Sequence, residues 1–158
     1  MTLSIRQNLL IIAVAALTLS TAIAAGALES ASGDEISSEI QVVEQFIAAF
    51  NDKDVDTVMS FFTSDAVYHN MPGPPAQGTE AIRNLIESFV NGASAIDWET
   101  LAIAQTGNKV LTERIDRFVF GDKKVDLPVM GTVAIHDGKI SAWRDYFDMA
   151  TWTRQMQD

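Results

Sequence analysis

The second half of the chain is cut at three places by the turns Thr106-Gly107-Asn108, Gly121-Asp122-Lys123 and His136-Asp137-Gly138. Each separates segments with the side-chain pattern of a strand, and Gly, Asn and Asp tolerate the positive φ that a tight hairpin needs. Strands joined by hairpins run antiparallel, so this half reads as a meander. The first half supplies what can cover it. Val43, Phe46, Ile47 and Phe50 recur at helical spacing and predict an amphipathic helix over Ser38–Asn51. Asp54–Phe62 reads as a short second helix, and Thr79 as the cap of a third that runs to about Val90. Ala66–Asn70 reads as a short strand, stopped by Pro72-Gly73-Pro74-Pro75 because proline neither continues a helix nor donates to a ladder. Helices followed by a long antiparallel sheet give an α+β domain, with helices on one face of a curved sheet that can wrap a pocket.

Composition limits what such a pocket serves. The 158 residues suit one domain, and 11 Lys and Arg against 21 Asp and Glu leave a net charge of −10. That balance disfavours nucleic acid and anionic membrane surfaces, which need clustered positive charge, and leaves a small neutral ligand open. The chain has no cysteine and two histidines, His69 and His136. It therefore carries neither a disulfide framework nor a thiolate nucleophile, and it does not suit a zinc site of the usual type.

The beginning of the chain reads differently. Arg6 is the one charged side chain before Glu29, Leu9–Leu17 is wholly apolar, and Ala22-Ile23-Ala24 or Ala25-Gly26-Ala27 offers a small-x-small cleavage site. Residues 1–27 are expected to be a secretory signal peptide, 28–37 a flexible linker and 38–158 the folded domain, exported to the periplasm or secreted. The alternative is an uncleaved anchor, since Gln7–Leu28 is long enough to span a bilayer. Thr18, Ser20 and Thr21 dilute its second half and favour cleavage.

Candidate chemistry sits in the stretch "ISAWRDYFD". On a strand, Trp143, Asp145 and Phe147 share one face, while Ala142, Arg144 and Tyr146 share the other, expected to be helix-covered or dimer-facing. A carboxylate between two large apolar groups needs a compensating partner. Tyr68 and Asn70 are two apart on the first strand, as are Arg114 and Asp116 in "TERIDRF". If these groups converge, Arg114 can fork hydrogen bonds to both carboxylates. One guanidinium neutralises only one carboxylate, so the other should hold its proton, giving a neutral acid beside an ionised base. Tyr68 and Asn70 could then hold a water. Each signal also has a plainer reading. On spacing alone a surface ion pair suits Arg114 and Asp116 better than catalysis. Tyr68 can be a core aromatic, Asn70 a turn former, and His69 and His136 ordinary surface or loop residues. Met71, Leu85, Phe89, Leu127 and Met130 are expected to make the pocket apolar.

Together, "VYHNMPGPPAQG", "TERIDRF" and "WRDYFD", in this order, resemble the limonene-1,2-epoxide hydrolase family from about the first helix to Trp152. The resemblance implies a curved mixed sheet with helices around a deep pocket, a cystatin-like cone of the kind shared with nuclear transport factor 2, ketosteroid isomerase and SnoaL-like proteins. It also implies a homodimer and a cofactor-free addition of water to a small apolar, limonene-oxide-like or other cyclic epoxide. In the roles carried over, Asp145 deprotonates the water that Tyr68 and Asn70 help to hold, Asp116 protonates the epoxide oxygen, and Arg114 sits between the aspartates. The leader is a departure, because members of this type are commonly intracellular. Two rivals stand beside this reading. One is a ketosteroid-isomerase-like or polyketide-cyclase-like enzyme, which needs no arginine between two aspartates; the other is a noncatalytic protein that binds a hydrophobic ligand.

Overall fold

The structure, a computed structural model, describes residues 36–157. The signal peptide or anchor, and the linker as far as residue 35, lie outside the described residues. The elements run α1 (Ser38–Asn51), α2 (Val55–Ser60), β1 (Phe62–Met71), β2 (Ala76–Gln77), α3 (Gly78–Gly92), β3 (Ala95–Thr106), β4 (Lys109–Phe120), β5 (Lys123–His136), β6 (Lys139–Phe147) and α4 (Met149–Gln157). The domain is α+β, with an open six-stranded sheet in the order β2-β1-β6-β5-β4-β3.

The hairpin turns fall where the sequence puts them. Gly107, Gly121 and the pair Asp137-Gly138 all take positive φ between the strands they join. The parallel pairing of β1 with β6 is what makes the sheet mixed, and it sets Asn70 beside Asp145 and Tyr68 beside Trp143.

Several boundaries differ from the expectation. α2 ends at Ser60, capped by Asp54, whose carboxylate accepts from Thr57 N, and Phe62 belongs to β1. β1 therefore starts at Phe62 rather than Ala66: Phe62 pairs with Ile140 of β6, and the register shifts before Val67 resumes the pairing. Thr79 is not a cap. α3 starts at Gly78 after Gln77 without a side-chain cap, and the Thr79 hydroxyl reaches Ser64 O at 3.5 Å. α4 was not anticipated. Asp148 starts it by accepting from Ala150 N and Thr151 N, a local cap that the sequence carries.

Packing follows the helix faces. Val43, Phe46, Ile47, Ala49 and Phe50 bury one side of α1, and Ile82, Ile86 and Val90 bury one side of α3. Phe46 lies 4.4 Å from Trp143 between ring centroids, so α1 covers the face that carries Trp143 and Asp145. Arg144 and Tyr146 do point the other way, yet that face is not the one under α1, and Tyr146 is exposed. At the end of α1, Asn51 accepts from Trp98 N at 2.7 Å and donates to Trp98 O at 3.3 Å. That clamp fixes β3 against the helix at the position where Trp98 enters the core.

Candidate active site

The inner face of β4 carries Thr112, Arg114 and Asp116 at successive alternate positions, all buried. Arg114 is completely inaccessible to solvent, and Asp116 and Asp145 are 4% and 3% exposed. The surface ion-pair reading is therefore overturned. Arg114 Nε donates to Asp116 Oδ1 at 3.0 Å, and Nη2 donates to Asp116 Oδ2 at 3.0 Å and to Asp145 Oδ1 at 2.9 Å. Nη1 donates to Thr112 Oγ1 at 2.7 Å, and Trp143 Nε1 donates to Asp145 Oδ2 at 2.7 Å. The guanidinium carbon lies over two indoles, 4.8 Å from the Trp98 ring centroid and 5.2 Å from that of Trp143. The planar fork thus holds both carboxylates on one side while aromatic faces shield it from water.

The charge count inside this cluster is one cation against two carboxyl groups, and the consequence falls on Asp116. Burial pushes its pKa up, the Arg114 hydrogen bonds and charge oppose this, Asp145 adds to the rise, and the result is about 6. Burial opposes the charge on Arg114, but the two aspartates outweigh it and raise its pKa further, so the guanidinium stays charged. Burial, followed by the field of Asp145, raises the Tyr68 phenol well above its ordinary value, so it is neutral and can donate.

Above the cluster is a cavity of about 310 Å³. Asp116, Asp145, Tyr68 and Asn70 all line it, so the five residues expected to act together do meet, with Arg114 beneath the aspartates rather than at the surface of the cavity. The Tyr68 ring lies parallel to that of Trp143 at 6.1 Å, which sets the height of the phenol on the wall. Leu85, Phe89 and Leu127 line the cavity as expected. Met71 and Met130 do not. Met130 alternates to the outer face of β5 and is exposed, and Met71 falls on the same outer row beside Tyr146. Phe50, Trp98, Phe118 and Trp152 take their place, the last packed edge-on against Phe89, Phe118 and Phe120. Trp98 could have been found from the alternation of Ile96 and Trp98 on β3, and Trp152 from the cap at Asp148. His69 has more than a surface role: it is half-buried, and its Nε2 is 2.7 Å from Gly73 O, where it must donate. This ties down the loop that contributes Gly73 and Pro74 to the cavity wall. His136 is an exposed loop-end residue.

Such a site offers a proton donor, a proton acceptor and two further polar groups at one end of an apolar chamber. It can add or remove protons on a ligand that is otherwise apolar.

Comparison with known proteins points to one enzyme family. Residues 37–157 match the limonene-1,2-epoxide hydrolase catalytic domain. The chain is similar to epoxide hydrolase EphG of Mycobacterium tuberculosis, with 34% identity over 107 residues that cover 68% of this chain and 71% of that protein. Its structure is similar to that of an M. tuberculosis LEH-like epoxide hydrolase, with a TM-score of 0.69 and 31% identity, covering 76% of this chain and 90% of that one. A putative SnoaL-like polyketide cyclase from Shewanella putrefaciens gives a TM-score of 0.70 at 17% identity, covering 78% of this chain and 98% of that one, a likeness of fold alone.

Proposed function

The chain belongs to the limonene-1,2-epoxide hydrolase family, and we propose that it adds water in one step to a small apolar epoxide, limonene-oxide-like or otherwise cyclic, to give a vicinal diol. The observation that carries this reading is the single Arg114 Nη2 that donates to Asp116 and to Asp145 at the polar end of an apolar cavity.

Opening an epoxide needs attack on carbon from the side opposite the departing oxygen, and a proton for that oxygen. Asp145, as the carboxylate, takes a proton from water while the water oxygen bonds to carbon. The carbon–oxygen bond of the ring breaks, and the proton of Asp116 goes to the released oxygen. Tyr68 and Asn70 hold the water with Asp145; Asn70 stands next to Asp145 across the β1–β6 pair. The raised pKa of Asp116 supports its role as acid, since a carboxyl with an ordinary pKa would have no proton to give near neutrality. No nucleophilic side chain and no cofactor enters this scheme. General acid and general base assistance contribute about 10²–10⁴-fold each, and positioning adds to both.

Diol analysis across terpene, cyclic and aryl epoxides tests the reaction and its substrate range. Formation of no diol from any of them would sink the reading and favour a ligand-binding role. Direct attack is tested by one turnover in heavy-oxygen water with enzyme in excess. The label should appear in the first diol; label in the protein instead, through an aspartyl ester, would overturn the one-step scheme.

Two further expectations belong to this reading. Met71, Tyr146 and Met130 stand in one row across β1, β6 and β5 on the outer sheet face, which supports a homodimer built on that face; the mass in solution tests it. The Arg6, Leu9–Leu17 and alanine-rich pattern supports export with cleavage near Ala24 or Ala27. Intact mass of protein from its native host decides between cleavage and a retained anchor.

A further inference from the structure

Gly131 sits in the middle of β5, where glycine weakens a strand and needs a reason. Its backbone supplies none, because Gly131 is not among the glycines with positive φ. Space supplies it. A methyl group on Gly131 would lie 2.5 Å from Arg114 Nη1, 2.5 Å from Thr112 Oγ1 and 3.0 Å from Asp145 Oδ1. The register explains this convergence: Gly131 is directly opposite Thr112 on β4 and directly opposite Asp145 on β6. The end of the guanidinium therefore occupies the place of the side chain that residue 131 lacks.

We infer that Thr112 and Gly131 form a seat that fixes the aim of Arg114, and that both are positioning residues for the hydration reaction proposed above, on which this role rests. The hydrogen bonds support that division of labour. Nε and Nη2 are committed to the two aspartates, so Nη1 is the remaining end by which the plane of the guanidinium can be locked. Thr112, itself 1% exposed, supplies the acceptor, and Gly131 supplies the room. With Nη1 held, rotation about the side chain's last bonds is blocked, and Nη2 stays directed at the gap between Asp116 and Asp145. Without the seat, Arg114 keeps its charge and loses its direction. Catalysis then suffers through Asp116 and Asp145, because neither is held where the epoxide oxygen or the water requires it.

The seat is tested with Thr112→Val, Thr112→Ser and Gly131→Ala in the full chain. Thr112→Val keeps the shape and removes the acceptor; kcat should fall about 10–10²-fold, the scale of one hydrogen bond to a charged group, with KM little changed. The alkaline limb of its pH–rate profile should move to higher pH, because a loosened Arg114 stabilises the Asp116 carboxylate less. Thr112→Ser should restore both. Gly131→Ala should lower kcat at least as far, since its methyl group displaces Nη1. Nitrogen-15 NMR of the wild-type guanidinium gives a readout that needs no activity: Arg114 Nη1 and Nη2 should give separate, slowly exchanging signals that merge in Thr112→Val. Merged signals in the wild type would overturn the seat even if neither valine nor alanine variant folds. Wild-type kcat and pH profile in folded Thr112→Val, or a serine variant as impaired as the valine one, would do the same. Separate signals in a wild type that hydrates no epoxide would leave the seat in place and remove the hydrolase reading alone.

Discussion

Arg114 and Arg117 are three residues apart on β4, and both face carboxylates. Strand parity sends them to opposite sides of the sheet. Arg117 lies 3.2 Å from Asp97, 2.6 Å from Glu99 and 3.8 Å from Asp126, in a cluster whose acidic side chains are 50–70% exposed. Arg114 has two acidic partners among the described residues, and none of the three side chains is more than 5% exposed. By count of partners Arg117 is the richer site. What separates them is water, which solvates and screens the surplus negative charge around Arg117 within a Debye length of about 8–10 Å. Around Arg114 the surplus cannot be solvated, and burial together with the neighbouring Asp145 raises the pKa of Asp116 to about 6. The same two kinds of group, arginine and carboxylate, form a solvated ladder on one face and a buried cluster on the other.

The sharpest break between the two sites should come from removing their carboxylates. Asp145→Asn and Asp116→Asn are expected to lower the chemical step by about 10²–10⁴-fold each while the protein stays folded, because an amide neither takes the proton of water nor supplies an acidic one. Asp97→Asn, on the ladder, should leave turnover unchanged. Diol formation under single-turnover conditions measures all three, and an active Asp116→Asn would remove the acid from the proposed scheme.

Arg114→Lys should follow, with a loss of about 10²-fold although the charge is kept. A lysine ammonium is a single point and cannot hold Asp116 by two bonds, reach Asp145 and rest in the Thr112 seat at once. Thermal stability should fall with it, since two buried carboxyl groups lose part of their compensation. Turnover near that of the wild type would show that charge alone suffices there.

These contrasts also explain what could be seen in the sequence. The three hairpin turns were legible because Gly and Asp chemistry acts within a few residues. The pairing of Arg114 with Asp116 on one face was legible from spacing, but which face is buried was not. On this part of β4 the outward positions hold Glu113, Ile115 and Arg117 and the inward ones hold Thr112, Arg114 and Asp116, so both rows are largely polar and the hydrophobic pattern does not tell them apart. Only partners distant in sequence, Trp98 and Trp143 among them, bury the inward row. The β1–β6 pairing leaves no local mark on the residues, which is why Phe62, the first residue of β1, reads as the end of the second helix. Gly131 did leave a mark, an isolated glycine within a strand pattern, and it marked the site.

The pH dependence should be smaller in size and more specific. The pKa of Asp116 rises from 3.8 to about 6 on folding, mainly through burial, so the folded state holds its proton more tightly than the unfolded chain does. Its contribution to stability is then fully present below pH 3.8 and lost as the pH rises through about 6. Melting temperatures of the wild type relative to Asp116→Asn should decline across that window. Diol formation should fall over the same upper limb as the acid loses its proton. A flat difference between the two proteins from pH 3.8 to 6 would mean that the surplus charge in the buried cluster is relieved in some other way.

The smallest effect expected is that of Arg117→Lys, the same exchange as at Arg114 made on the other face. Each partner of Arg117 is held by contacts that water can replace, and Asp97, Glu99 and Asp126 can be satisfied by solvent whether an arginine or a lysine stands among them. Turnover should stay within about twofold of the wild type, as for other surface exchanges, with the pH–rate profile unmoved and the melting temperature little changed. Whatever difference remains should fade at high salt, where exposed pairs are screened, while the loss in Arg114→Lys should persist because the buried cluster excludes ions. If Arg117→Lys instead lowered turnover as far as Arg114→Lys does, β4 would be transmitting a change from its outer face to the site, and water would not be what separates the two arginines.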